Sequence, residues 1–304
     1  MELKKRIITI AIAVVFLSCS SGYAETIKQI DQTNTIKKAQ QSDAAKKALK
    51  EAAEKGKEKA NKMAKIVNKD VVQGLKDVKA AIKFLVKKKP EVENAIKHLQ
   101  SATGEFEGSV SLDKDLAFAP VENSLQTYIL VASSDEVERE LAFIEDLIED
   151  GKVQDARRLL MPLRSEVVVQ TTSLPMITYP DAIKDAIRQL SDGTVEKAKE
   201  ILETAMDTLI IEEEIIPIPV ITAKNAIEKA SKMDKKKKGK VLEELKLAKE
   251  QLKLANVLGY LSDDGKLHDD LQGQIEKIEK EVKGENKVEK LYDKVKAKME
   301  GLFD

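Results

Sequence analysis

Apolar residues recur at three- and four-residue steps over most of this chain, and that spacing predicts helices. Ile66, Val67, Val71, Leu75, Val78, Ile82, Leu85 and Val86 fall on one side of a helix over residues 61–88. That helix must end before Pro90, because a proline pushes the residue ahead of it out of the helical region. Pro90 itself suits a first helical position, and opens a helix with Val92, Ala95, Ile96 and Leu99 on one face and a stop near Gly104. Ser134-Asp135-Glu136 caps a further helix through Leu141, Ile144, Leu147 and Ile148, closed at Gly151. Its partner starts at Val153 and runs past Ser165. Later, Val241, Leu245, Ala248, Leu252, Ala255 and Leu258 make another stripe, and residues 267–282 and 288–302 form a last helical pair.

Other stretches read less simply. Residues 37–65 are rich in Ala, Lys and Glu, good helix formers, but hold few large apolar side chains, so a solvated or loosely docked helix is expected. Residues 106–120 carry Gly108, Asp113 and Asp115 among apolar positions and read as a loop with room for a short strand. Residues 121–132 read as a short helix. Val167-Val168-Val169-Gln170-Thr171-Thr172 and Leu209-Ile210-Ile211 with Ile215-Ile216 are dense in β-branched residues, which favours strand locally. Both lie at the ends of helical patterns, directly before Pro175 and Pro217, and are expected to continue those helices as buried ends with short extended pieces.

One segment is written twice. The decapeptide from Leu147 to Ala156 returns from Gln189 to Ala198 with its Asp-Gly pair shifted by 42 positions. The dodecapeptide from Pro175 to Ala186 returns from Pro219 to Ala230, a shift of 44. Self-similarity at such a period marks stacked supersecondary units that bury apolar faces against one another. The expected fold is therefore all-α, a helical-hairpin repeat or bundle with Pro-rich inter-helix turns and short extended segments. The expected divisions are a leader over residues 1–24, a Lys/Ala-rich helical arm over 25–88, a body over 89–260 with repeats at 147–186 and 189–230, and a helical pair over 261–304.

The amino terminus changes the picture of where this chain works. Lys4-Lys5-Arg6 precedes an apolar run over residues 7–17, and Gly22-Tyr23-Ala24 places small residues at −3 and −1. The run is too short to cross a bilayer, which takes roughly 20 residues. Cleavage after Ala24 and a periplasmic product without a transmembrane segment are expected. The competing reading anchors a lipoprotein at Cys19, but Phe16 and Leu17 fit a lipobox poorly. Cys19 is the only cysteine, so the cleaved chain has neither disulfides nor thiol chemistry.

Net charge is −1, which hides a gradient. Residues 36–89 carry 17 lysines against 6 acids, and residues 90–221 carry 27 acids against 11 basic residues. The basic arm either binds something anionic or lies against the protein's own acidic body; the second is preferred. Nucleic acid is a poor partner for an acidic, aromatic-poor, exported chain, despite Lys235-Lys236-Lys237-Lys238.

Candidate chemistry is sparse. His98 and His268 stand far apart without a ligand-spaced neighbour. Glu212-Glu213-Glu214 reads as a solvated acidic end, and Asp263-Asp264 with Asp269-Asp270 lacks the spacing of a calcium loop. No phosphate loop or nucleophile elbow appears, so no catalytic residue, metal or cofactor is expected. The distinctive feature is the pair of turns holding Pro175, Met176, Ile177 and Tyr179, and Pro217, Ile218 and Pro219. They serve either as rigid corners or as the lining of an apolar groove between the repeats, where a small lipophilic molecule or an unfolded segment docks.

The residues Asp150-Gly151, Ala156-Arg157-Arg158-Leu159-Leu160, Thr171-Thr172-Ser173-Leu174-Pro175, Tyr179-Pro180-Asp181-Ala182-Ile183, Gly193, Ala198, Thr208-Leu209-Ile210 and Ile216-Pro217-Ile218-Pro219 resemble the YfdX family of exported bacterial proteins. The resemblance spans residues 88–258. It implies a periplasmic, helix-rich, stress-associated protein with no established enzyme activity and no functional residues to transfer. The expected function is non-catalytic binding, stress-protective or chaperone-like, with self-association or unfolded clients as partners. The alternative is a carrier of a small lipophilic ligand.

Overall fold

The computed structural model describes residues 12–18 and 42–304, apart from 114–115, 262–264, 285–287 and 303–304. Cys19, Ala24, Asp263 and Asp264 lie outside the described residues. In chain order the elements are β1 (Ile12–Ser18), α1 (Asp43–Ile66), α2 (Lys69–Leu85), α3 (Val92–Leu112), β2 (Phe118–Leu130), α4 (Ser134–Glu149), α5 (Val153–Leu160) and β3 (Glu166–Pro175). There follow α6 (Tyr179–Ser191), α7 (Val195–Met206), β4 (Ile210–Pro217), α8 (Ile218–Lys232), α9 (Lys238–Val257), α10 (Lys266–Gly284) and α11 (Glu289–Glu300). The protein is mostly helical with a small antiparallel sheet of β2, β3 and β4 in chain order, and β1 is placed beside β2.

Asn68 cuts the first long helical stretch in two. Its backbone is extended and its side-chain oxygen accepts from the Asp70 and Val71 amides, both at 3.1 Å. Those amides would otherwise be orphans of a helix start. The single helix expected over 61–88 is thus the end of α1 and all of α2. In the other direction, α3 runs past Gly104 and Gly108 to Leu112, because Ala102, Phe106 and Ser109 carry its buried stripe onward.

The strands correct the all-α reading. In β2, Ala119, Val121, Asn123, Leu125 and Thr127 are buried and alternate with more exposed neighbours, the period of two that a half-buried strand requires. In β3, Val167, Val168 and Val169 are at most 3% exposed, so both faces are covered. A strand buried on both faces shows a continuous apolar run, which periodicity alone does not separate from a buried helix end. β4 is an outer strand, and Ile211 through Ile215 are exposed. The prolines stand where strand gives way to helix: Pro175 and Pro217 end β3 and β4, while Pro180 and Pro219 occupy the first turns of α6 and α8.

The chain divides into two compact units, one drawn from Met1–Lys57, Leu125–Val168 and Ile215–Asp304, the other from Glu58–Ser124 and Val169–Glu214. In the second unit α2, α3, α6 and α7 surround a core of Val71, Val78, Leu85, Leu99, Phe106, Tyr179, Ile183 and Leu202. Phe106 meets Tyr179 edge-on at 5.4 Å, the arrangement that aromatic quadrupoles favour. In the first unit α8, α9, α10 and α11 enclose Ile227, Leu245, Leu252, Leu271, Ile275 and Val295, with Ala44 of α1 among them. A smaller cluster of Leu130, Val137, Ile144, Ala156, Leu163 and Leu254 lies under α4 and α5.

α1 is docked rather than solvated, and small residues dock it. Ala44, Ala48, Ala52, Gly56 and Ala60 follow at four-residue steps and all are buried. A Cβ on Gly56 would stand 2.7 Å from both Leu125 Cδ1 and Val167 Cγ1, so only glycine lets this turn approach so closely. α1 also meets acid here: Lys47 pairs at 2.7 Å with Glu228, which lies outside the acidic stretch 90–221. Three helices end alike. Gly151, Gly193 and Gly259 take positive φ, and paired amide bonds close α4 (Gly151 to Ile148, Lys152 to Leu147), α6 (Gly193 to Leu190, Thr194 to Gln189) and α9 (Gly259 to Asn256, Tyr260 to Ala255).

Candidate functional site

An open cleft of about 400 Å³ lies within the first unit. Its apolar lining comes from Ala45 and Leu49 of α1, Ile129 and Leu130 of β2, Ile218 of α8, and Leu247 and Leu254 of α9. Each part is held by a local device. Ser133 accepts from the Glu136 amide while Glu136 Oε2 accepts from the Ser133 amide at 2.8 Å, a capping box that fixes the start of α4. The Ser133 amide and hydroxyl hold the Glu136 carboxyl below its usual range. Ser165 carbonyl accepts from the Ile218 amide at 3.0 Å, and its own amide donates to the Tyr260 hydroxyl at 2.9 Å. Burial pushes that hydroxyl far above the usual tyrosine range, with Glu166 adding to it. Thr222 donates to the Ile218 carbonyl at 2.9 Å, so its hydroxyl is already engaged. The cleft therefore offers apolar surface edged by engaged polar groups, an arrangement suited to binding.

A second feature of the same unit is the α4–α5 hairpin. Phe143, Ile148, Val153, Leu160 and Met161 are between 50% and 56% exposed. Val153 and Leu160 are seven residues apart, which places them on one side of α5. Exposed apolar groups so concentrated mark interaction surfaces more often than isolated ones do.

The residues singled out from the sequence fall in both units. Pro175, Met176, Ile177 and Tyr179 belong to the second, where Met176 and Tyr179 are 3% and 1% exposed within its core and Ile177 is 71% exposed. Pro217, Ile218 and Pro219 belong to the first; Ile218 lines the cleft, and Val220 is buried in the α8–α11 core. Sequence reasoning missed the other cleft residues because they come from five separated elements. His98 did acquire a partner. Its Nδ1 lies 2.7 Å from Asp77, which also accepts from Gln73 and Ser101, and its ring stacks on Phe84 at 5.5 Å. Although burial opposes it, the hydrogen bonds from His98, Gln73 and Ser101 hold the Asp77 carboxyl below its usual range. Glu213 accepts from Gln170 and Glu214 pairs with Lys59, on a strand rather than a helix end. Among the described residues no group of three or more His, Cys, Asp or Glu side chains is placed to hold a metal ion, and no helix is long and apolar enough to cross a membrane.

These features define a mostly helical protein with a small antiparallel sheet and an apolar cleft in one of its units. Residues 74–215 match the family model described as YfdX protein, so over that stretch the resemblance read from the sequence is borne out. A solved structure of Salmonella Typhi YfdX aligns at 12% identity over 50% of this chain and 93% of that chain, with a TM-score of 0.35. At that score the likeness carries no argument about fold or function. No curated protein matches. The cleft draws on residues inside the matched stretch, such as Ile129 and Ser165, and on others outside it, including Leu49, Ile218 and Leu254.

Proposed function

We propose that this is an exported, non-catalytic, stress-protective binding protein of the periplasm that engages apolar segments of unfolded clients in a chaperone-like way. The observation that carries it is the exposed apolar set on the α4–α5 hairpin, Phe143, Ile148, Val153, Leu160 and Met161. Acidic neighbours on α4, among them Glu145, Asp146 and Glu149, keep such a surface soluble between encounters. The basic n-region, the apolar run and the small residues before Glu25 support export, with cleavage after Ala24. The twofold sequence supports reading α4–α5–β3 and α6–α7–β4 as two copies of one unit. The test uses the mature chain at equimolar ratio with several aggregating model clients. Light scattering should fall, and a Val153→Asp/Leu160→Asp double variant should lose the effect while keeping its helical circular dichroism. Unchanged aggregation of every client would end this reading.

The cleft favours a second reading, a carrier of a small lipophilic ligand. Filling it with Ala45→Leu should abolish saturable binding of a fluorescent fatty acid that the parent protein shows. If the parent shows no such binding, the cleft is not a lipid pocket.

A further inference from the structure

The lining of the apolar cleft carries charge of one sign. Glu136 stands in it beside Ser133, and no Lys, Arg or His does. Both bonds that Ser133 donates to this carboxylate, from its amide at 2.8 Å and its hydroxyl at 2.9 Å, fall on Oε2. Oε1 receives no bond from a described residue, and a carboxylate has room to accept more than two. The neighbouring cations are directed elsewhere. Lys253 of α9 donates to Asp135 and Glu138, at 2.6 and 3.2 Å, Lys50 of α1 pairs with Glu54 at 3.8 Å, and Lys46 acts on Asp43. Arg139 is close enough to favour the charged form of Glu136 but makes no ion pair with it. The start of α4 contributes about half a positive charge, and it meets three carboxylates, Asp135, Glu136 and Glu250, the last accepting from the Ser134 amide at 2.9 Å.

From this we infer that the cleft takes a lipophilic cation, an alkylammonium, with its chain against Leu49, Leu130, Ile218 and Leu254 and its charged head at Glu136. This names the ligand class for the carrier reading above and rests on that reading. The cleft, at about 400 Å³, lies in the lower part of the range that holds drug-sized molecules, roughly 300–1,000 Å³. Burial of the chain supplies affinity without regard to the head group, because it scales with apolar area. The choice of head group falls to Glu136, which attracts an ammonium and repels the carboxylate of a fatty acid. Because the cleft is open, the head keeps part of its water and no buried charge is left unpaired. Glu136→Gln isolates that charge: glutamine in this position of a capping box reaches back to the same amide, so the start of α4 is kept.

The experiment is calorimetric titration of the mature chain at pH 7 and low salt with decylammonium and with decanoate, each below its micelle concentration. Decylammonium should bind about tenfold more tightly, since one partly solvated carboxylate attracts the first and repels the second. Glu136→Gln should bring the two within about twofold, with its helical circular dichroism unchanged. Ala45→Leu should abolish both. If neither compound binds the parent, or if binding survives Ala45→Leu, the carrier reading falls and this inference with it. If both bind equally, or if the preference persists in Glu136→Gln while Ala45→Leu abolishes binding, the carrier reading stands and the preference for a cation at Glu136 is overturned.

Discussion

The two units fill their cores with the same mixture of alanine and large aliphatic residues but differ in what each adds to it. The second unit adds an aromatic pair: Phe106 and Tyr179 sit edge to face among Leu85, Leu99 and Leu202, all essentially inaccessible. The first unit adds a seam of small residues: Ala44, Ala48, Ala52 and Gly56 let α1 lie flush on what it covers. Each unit keeps one glycine inside a helix where a side chain would not fit. Gly56 makes room for Leu125 and Val167, and Gly74 makes room for the Phe106 ring, whose carbons would stand 2.6 to 3.0 Å from an added Cβ. A large-residue core is visible in a hydrophobicity pattern; a small-residue seam is not, because alanine adds little hydrophobic signal while allowing close contact.

The comparison breaks most sharply at Phe106. Phe106→Ala should cost about 3–5 kcal/mol in urea unfolding, with amide protection lost first in α2, α3, α6 and α7. If protection falls equally in α8 through α11, the two units do not have separable cores. Next comes Gly56→Ala, which should destabilise by about 1–3 kcal/mol because Val167 is too short and stiff to move aside. The same change at Gly104, where nothing lies within 4 Å, should instead raise stability by up to about 1 kcal/mol. A Gly56→Ala protein as stable as Gly104→Ala would mean that α1 is not held by closeness. Asn68→Ala should cost about 1 kcal/mol by removing the acceptor at the start of α2.

The smallest effect is the most diagnostic of charge. Glu228 is held at about 2, against 4.5 for an ordinary glutamate, first by the hydrogen bond from Lys232 and then by that from Lys47. Asp77 in the second unit is lowered in the same direction. For both, the unfolded chain takes up its proton first as pH falls. Their stabilisation is therefore complete above the ordinary carboxylate range and is lost as pH drops through it, for Glu228 toward 2. Thermal melts between pH 6 and pH 3 should show Glu228→Gln with a shallower acid decline than the parent. An unchanged slope would show that the Lys47 and Lys232 contacts do not persist in solution.

Much of the helical plan was legible. Stripes such as Val71, Leu75, Val78 and Leu85, and Val241, Leu245, Ala248 and Leu252, encode helix by spacing alone, and each is buried as that spacing requires. The Asp-Gly pairs at 150–151 and 192–193 announced helix ends because a left-handed residue past a helix strongly favours glycine. The apolar run near the amino terminus and the YfdX-like motifs were likewise properties of local sequence.

What needed the tertiary structure was everything decided by a partner distant in sequence. Val167, Val168 and Val169 are strand because β2 and β4 flank them in the sheet and satisfy their backbone. Pro175 and Pro217 close strands, a role that the same residues would have played equally well at a helix corner. Residues 43–66 are docked because Gly56 finds Leu125 and Val167, and nothing in an Ala/Lys/Glu run reveals who its neighbour will be. The cleft shares that origin. Spacing along a chain determines which face a side chain occupies, whereas a binding site depends on which faces meet, and that is settled only when the whole chain has packed.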